Sequence, residues 1–392
     1  MTVPITRPAI TRPPIAPFRF VTAPRIVFGE GESERLATHA PDLGDRVLMI
    51  TDPGIVALGL YEGVAASLGD RLVAVHDDVG PDPTRVMLES AIARAREVGA
   101  SGIVGLGGGS PLDVAKLTAL VAGSGEALDE AWGVDAAKGP RLPLALVPTT
   151  AGTGSEVTPV AIITVEEGNG GAEKRGVSST HLLPDLALLD PALTHGLPRP
   201  TTAATGIDAM VHAIEAYASR NANNNPVSKA LAREALRMLG EHIEDACDGV
   251  EAARAPMLLG SMLAGQAFAN SPVAAVHALA YPLGGRFKVP HGLSNAVLLP
   301  HVLAFNAEDT GARRAYGELA PLLGAHGSDG LIARLDELAA ACGLVPGMRA
   351  LGVGEEHLDA MAADAMRQTR LLVNNPRPVE EADARAIYEA AL

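Results

Sequence analysis

The chain has 392 residues, 47% of them hydrophobic and 20% charged, enough for two domains with their own cores and too apolar for disorder over most of its length. A formal net charge of −15, from 31 basic and 46 acidic residues, repels nucleic acid and anionic membranes, so neither is an expected partner. Cys247 and Cys342 alone make neither a disulfide framework nor a cysteine-rich zinc motif, no apolar run can span a bilayer, and residues 1–8 lack a signal peptide's apolar core, so a soluble cytoplasmic protein is expected.

Prolines at 4, 8, 13, 14 and 17 make residues 1–17 an extended or disordered arm, because proline lacks the backbone donor that helices and central strands need. An oligomerisation arm is the functional alternative. Strands are then expected at 25–29, 46–52, 72–79, 102–106, 142–147, 160–165 and 186–189, with helices at 56–68 and 84–98. Alternation of this kind predicts an α/β domain, Rossmann-like, with a parallel sheet between helices. From Thr201 onward Ala, Leu, Glu and Arg recur at helical spacing and strand candidates nearly vanish. The boundary falls at 197–200, giving an α/β domain over 18–197 and an all-helical domain over 198–392.

The run Gly105-Leu106-Gly107-Gly108-Gly109-Ser110-Pro111-Leu112-Asp113-Val114-Ala115-Lys116 follows a strand and opens a helix. Glycines let backbone approach a pyrophosphate, and the free N–H groups of the helix start face its charge. Ser110 stands where the usual dinucleotide pattern has its last glycine, so a purely structural turn fits the spacing equally well. Asp52 ends the strand at 46–51, and its carboxylate suits either ribose hydroxyls or a helix cap before Pro53. The loop at 148–158 is crowded with hydroxyls and glycines, which on its own reads as a polar turn.

Asp208 and His212 lie four apart in a segment without proline or internal glycine, so a helix sets them on one face, able to share a divalent cation. His277 and His291 are fourteen apart and need a turn between them, which Pro282, Gly284, Gly285 and Pro290 can supply. Each histidine alone is more often a core or surface residue, but three imidazoles with one carboxylate suit a first-row divalent ion such as Fe or Zn.

With Gly206-Ile207-Asp208-Ala209-x-x-His212-Ala213-Ile214-Glu215, His277-x-x-x-x-Pro282-Leu283-Gly284, Pro290-His291-Gly292 and the Gly-Gly-Gly-Ser-x-x-Asp-x-x-Lys string ending at Lys116, the chain resembles the iron-containing (group III) alcohol dehydrogenases from about residue 23 to its end. The resemblance implies a dehydroquinate synthase-like architecture and makes Asp208, His212, His277 and His291 the metal ligands, for Fe(II) with Zn(II) as competitor. It further implies NAD, selected by Asp52, with contacts from Gly107, Gly108, Gly109, Ser110, Asp113, Thr149, Thr150 and Lys174. Hydride transfer would interconvert a small alcohol and an aldehyde or ketone, in a homodimer or larger homo-oligomer. Several members carry a histidine where this chain has Tyr281, placed to relay the alcohol proton; a phenol is a poorer relay at neutral pH, so water or the cofactor ribose is expected to carry it.

Two related reactions compete with this reading. Dehydroquinate synthase shares the architecture and uses NAD and a metal in a lyase reaction, but the motif strings look like those of the alcohol dehydrogenases. Maleylacetate reductases act without the metal, and a complete ligand quartet argues against that branch. A nucleotide-binding sensor would bind NADH without turnover. Arg286, Lys288 and Arg370 are candidates to select a carboxylated substrate, although surface charge is the commoner role. Glu156, Glu215 and His301 are conceivable proton carriers better read as structural or surface residues, and Trp132, Cys247 and Cys342 are assigned to packing.

Overall fold

The computed structural model describes residues 15–166, 172–344 and 347–392. The arm expected at 1–17 lies outside the described residues up to 14, and residues 15–17 are exposed coil. The first half runs β1 (Ile26–Phe28), α1 (Leu36–His39), β2 (Val47–Ile50), α2 (Pro53–Ala57), α3 (Glu62–Leu68), β3 (Leu72–His76), α4 (Arg85–Glu97), β4 (Gly102–Gly107), α5 (Gly109–Ser124), α6 (Leu128–Ala131), β5 (Gly133–Val134), β6 (Leu144–Pro148), β7 (Val160–Glu166), β8 (Ala172–Ser178) and β9 (Leu186–Leu189). Six strands form one parallel sheet in the order β1-β9-β6-β4-β2-β3. Both faces are covered, and alternate residues serve opposite faces: Leu48 and Ile50 pack with α4 and α5, while Val47 and Met49 pack with α1 and α3. Chain order reverses between β2 and β4, so the crevice beyond their C-terminal ends is where such a sheet binds ligands.

Three local expectations differ. The helix expected at 56–68 is two helices, because Gly59 takes a left-handed φ of 70° between them. The strand expected at 160–165 is β7, but it lies outside the parallel sheet, paired antiparallel with β8 in a three-stranded sheet. The polar β8, with Glu173, Lys174 and Arg175 in a row, carries no apolar alternation from which to read a strand.

The second half is helical: α7 (Arg199–Ala218), α8 (Pro226–Cys247), α9 (Arg254–Asn270), α10 (Ala275–Phe287), α11 (His291–Asn306), α12 (Thr310–Leu319), α13 (Gly327–Ala341), α14 (Leu358–Met366), α15 (Thr369–Leu372) and α16 (Glu381–Ala390). Helix α7 is its axis, buried along most of its length against α8, α9 and α11. The segment leading to β1 attaches here as well. Asn223 and Asn270 bond the backbone of Arg19 and Val21, and Ala23 is buried in the helical core. No helix among the described residues is long and apolar enough to cross a membrane.

Candidate active site

Asp208 and His212 stand one turn apart on α7, both buried. His277 sits in the first turn of α10, a helix whose N-cap, Ala274, has no side chain to satisfy the exposed N–H groups. Glu215, seven residues after Asp208 and so on the same face of α7, supplies that acceptor. One oxygen accepts from Val276 N at 2.7 Å and the other from His277 Nδ1 at 2.7 Å. His277 Nε2 is therefore left as the ring's free lone pair, buried, without a hydrogen-bond partner, and 3.8 Å from Asp208 Oδ1.

Of the four residues that the sequence suggested for the turn returning the chain to the site, Pro290 takes part in it. Pro282, Gly284 and Gly285 lie inside α10, and the reversal is made by residues 288–290, with Lys288 at a left-handed φ of 58°. A proline in a helix removes one backbone bond and bends it without obliging it to end. Helix α11 then starts at His291. A Cβ on Gly292 would fall 2.4 Å from Ala204 O, so only glycine lets α11 approach α7 this closely. His291 Nε2 consequently reaches within 3.9 Å of Asp208 Oδ1. Asn295, one turn further, points its amide at Asp208 Oδ1 (2.6 Å) and at His291 Nε2 (3.2 Å).

Donor atoms of Asp208, His277 and His291 lie within 4.8 Å of one another, a spacing on which one divalent ion could be held. His212 is beside them, its ring 4.8 Å from that of His277 and 4.4 Å from Phe268. Its Nδ1 donates to Gly152 O at 3.2 Å, which leaves Nε2 as the donor available to a cation. Burial pushes the His212 and His291 pKa values down to about 4, so both rings stay neutral, the form that binds metals. Burial also opposes charge on His277, but its hydrogen bond to Glu215 and the nearby carboxylates raise its pKa overall. Asp208 is held below the usual carboxylate range, since three imidazoles and Asn295 outweigh its burial.

These groups close one end of a cavity of about 590 Å³ whose other end is built by Gly109, Ser110 and Thr153 of the α/β half. Helix α5 begins there with Gly108 as N-cap and no side-chain cap, leaving backbone N–H groups free. Gly107 has a φ of 145°, and a Cβ on it would meet Pro111 at 2.8 Å and Asp52 Oδ2 at 3.2 Å, so the sequence keeps this cradle bare. Asp52 caps α2 through Ile55 N (3.0 Å) with one oxygen and presents the other to the switch-point crevice. Thr150 faces Gly108 across the same crevice, whereas Thr149 is 2% exposed and extends the ladder through its backbone N–H to Gly107 O.

Asp113 lines the cavity, and its carboxylate also accepts from Ser155 Oγ (2.7 Å) and Ile162 N (2.9 Å) and lies 3.5 Å from the buried Lys116 Nζ, so it ties α5 to β7. Lys174 does reach the cavity, paired with Asp82 and 5.9 Å above the Tyr281 ring. Tyr281 lines the cavity 6.1 Å from the His291 ring. Of the three cations considered for substrate, Arg286 is exposed and paired with Asp364, Lys288 is exposed at the turn, and Arg370 lines the cavity. Glu215, read in the sequence as a structural or surface residue, orients His277, and Asn295 was passed over. Their signal was helical spacing, seven from Asp208 and four from His291.

The description "Iron-containing alcohol dehydrogenase" matches residues 23–191, and "Fe-containing alcohol dehydrogenase family, C-terminal" matches residues 202–392. The chain belongs to the iron-containing alcohol dehydrogenases. It is 40% identical over 387 residues to long-chain-alcohol dehydrogenase 1 of Geobacillus thermodenitrificans, covering 95% of this chain and 96% of that one. Its fold is similar to a 1,3-propanediol oxidoreductase (TM-score 0.91, 32% identity, 96% and 100% covered) and to a sulfoacetaldehyde reductase of Bifidobacterium kashiwanohense in complex with NAD+ (TM-score 0.86, 26% identity, 96% and 99% covered). An iron-containing alcohol dehydrogenase is an enzyme with a divalent metal, and the donor set described above fits one.

Proposed function

We propose that this enzyme interconverts a small alcohol and its aldehyde or ketone with NAD(H), using a divalent ion held by Asp208, His212, His277 and His291. The observation that carries this reading is the buried, unpartnered Nε2 of His277 facing Asp208, an arrangement that costs free energy unless a cation uses it. Fe(II) follows from the family, and the affinity order lets Zn(II) compete. When bound, the ion supplies Lewis acidity towards the substrate oxygen and the nicotinamide supplies hydride exchange.

The chain's own residues do the rest. Glu215 fixes the His277 ring and Gly152 O fixes His212, so the donors are aimed before anything binds. The free N–H groups at the start of α5 and the bare Gly107 take the pyrophosphate, while Asp52 accepts from ribose hydroxyls and repels a 2′-phosphate. Phe268, Val160 and Ile162 give the cavity apolar patches against which a hydrocarbon substrate body can lie. Burial raises the Tyr281 hydroxyl pKa further above its usual value, so it orients by hydrogen bonding and the cofactor ribose or a water moves the proton.

Two buried reduced cysteines agree with a cytoplasmic location, and the exposed Ile26 and Phe28 on the edge strand β1 agree with a homodimer. The direct test is NADH formation from a panel of alcohols, with metal analysis of the same sample. Turnover with NAD by metal-loaded protein supports the assignment; NADH binding with no turnover on any alcohol or aldehyde contradicts it.

A further inference from the structure

We propose that the cavity selects substrates carrying a carboxylate remote from the reacting carbon, hydroxy- or oxo-carboxylates, and that Arg370 on α15 reads that charge. This rests on the alcohol–carbonyl activity above and specifies its substrate class.

A charge census of the cavity points to Arg370. Among the lining groups, Asp82 is paired with Lys174, Asp113 is consumed by Ser155, Ile162 N and Lys116, and Asp208 sits among imidazoles. Arg370 makes no ion pair and no side-chain hydrogen bond among the described residues. A guanidinium has five donors in a planar fork that matches a carboxylate's two oxygens.

The position is also built. Asn374 donates to Arg370 O (3.1 Å) and Val273 O (3.0 Å), and its own oxygens accept from Asn221 Nδ2 (2.9 Å) and Arg220 N (2.7 Å), so the backbone carrying Arg370 is moored to the helical half. Across the cavity the guanidinium lies against Gly176 of β8. A Cβ there would fall 3.2 and 3.3 Å from the two terminal nitrogens, tighter than ordinary contact, so the bare strand gives the guanidinium its seat. Arg370 shares the cavity wall with Tyr281 and with His291 of the candidate metal cluster. Ile162, Val273, Leu371 and Val373 line the walls here and suit a short hydrocarbon body between the reacting carbon and the anion.

Arg370 is exposed, so water and salt screen it and the expected preference is about 10- to 100-fold in kcat/KM, shrinking as salt rises. The test compares 4-hydroxybutyrate with 1-butanol, and 6-hydroxyhexanoate with 1-hexanol, on the metal-loaded enzyme with NAD. Wild type should favour the hydroxycarboxylate of at least one pair, chiefly through KM. Arg370→Leu should bring the efficiency ratio to about one, Arg370→Lys should retain part of it, and Gly176→Ala should lower it without changing any charge. NAD affinity should stay the same in all three. A second readout needs no turnover: butyrate should bind the NAD-loaded holoenzyme more tightly than butyramide, and Arg370→Leu should remove the difference. Equal use of both members of each pair by wild type, a ratio kept in Arg370→Leu, or loss of NAD binding in that variant would overturn the proposal. Absence of any turnover with butyrate discrimination intact would instead overturn the activity on which it rests.

Discussion

Asp52 does two things with two oxygens, and separating them gives the sharpest test of cofactor choice. Asp52→Ser keeps a side-chain cap for Ile55 N while removing the charge at the crevice. Relative use of NADP should then rise about 10-fold, the effect of losing one like-charge contact of ~1.4 kcal/mol, read as the ratio of kcat/KM values for the two cofactors. An unchanged ratio would remove Asp52 from the ribose site. For Tyr281→Phe we expect turnover within about fivefold of wild type, because a proton relay is worth at least ~100-fold and this phenol does not carry it. A hundredfold loss of kcat with substrate binding intact would assign the relay to Tyr281 after all. At this scale the placing of Asp208 and His212 on one helical face was legible in the sequence, since four-residue spacing is a local pattern, whereas their meeting with His277 and His291 depends on the packing of three helices. The freedom of Arg370 was not legible, because it depends on which carboxylates elsewhere are already paired.

The loop between β6 and β7 shows what an element adds. Lys116 on α5 is wholly buried and donates to Ser155 Oγ (2.7 Å), Thr158 Oγ1 (3.2 Å) and Val160 O (2.8 Å), so it pins this loop, whose Gly152 orients His212. Read alone, the loop at 148–158 was a polar turn; its buried partners lie 39 to 44 residues away along the chain, beyond any local pattern. The break at Gly59 and the part of Lys288 in the reversal before Pro290 were missed for a related reason, since left-handed backbone is chosen by packing as much as by residue type. Glu156, in the same loop, is fully buried, and burial raises its carboxyl to about 7 from an ordinary 4.5. Between those values the folded state binds the extra proton. This contribution to stability is therefore complete below pH 4.5 and is lost as pH rises to about 7, the sign expected for a raised pKa. Glu156→Gln should flatten that part of the stability profile, on the order of 2 kcal/mol relative to wild type between pH 5 and 7. The comparison of denaturation midpoints at the two pH values checks it, and parallel profiles would show that Glu156 titrates normally.

Across the whole molecule, the groups proposed for cofactor and metal belong to different halves: Asp52 and the glycine cradle to the C-terminal ends of the interior strands β2 and β4, Asp208, His277 and His291 to three helices of the second half. The parallel sheet and the change to helices near 197 were readable from periodicity, whereas the attachment of residues 19–23 to the helical half is a long-range contact without a local signature. An ion bound by α7, α10 and α11 ties those helices together and stabilises the native state by RT ln(1 + [L]/Kd), about 3 kcal/mol at a hundredfold excess over Kd. The central claim is most directly tested by removing and restoring the metal in wild type and in His277→Ala, following metal content, thermal midpoint, NAD binding and alcohol oxidation on the same samples. The account predicts that stripped wild type loses oxidation and stability but binds NAD, that Fe(II) or Zn(II) restores the lost stability and Fe(II) the oxidation, and that His277→Ala regains neither. Metal-free protein oxidising alcohols at the full rate, or His277→Ala retaining both its metal and its activity, would contradict it.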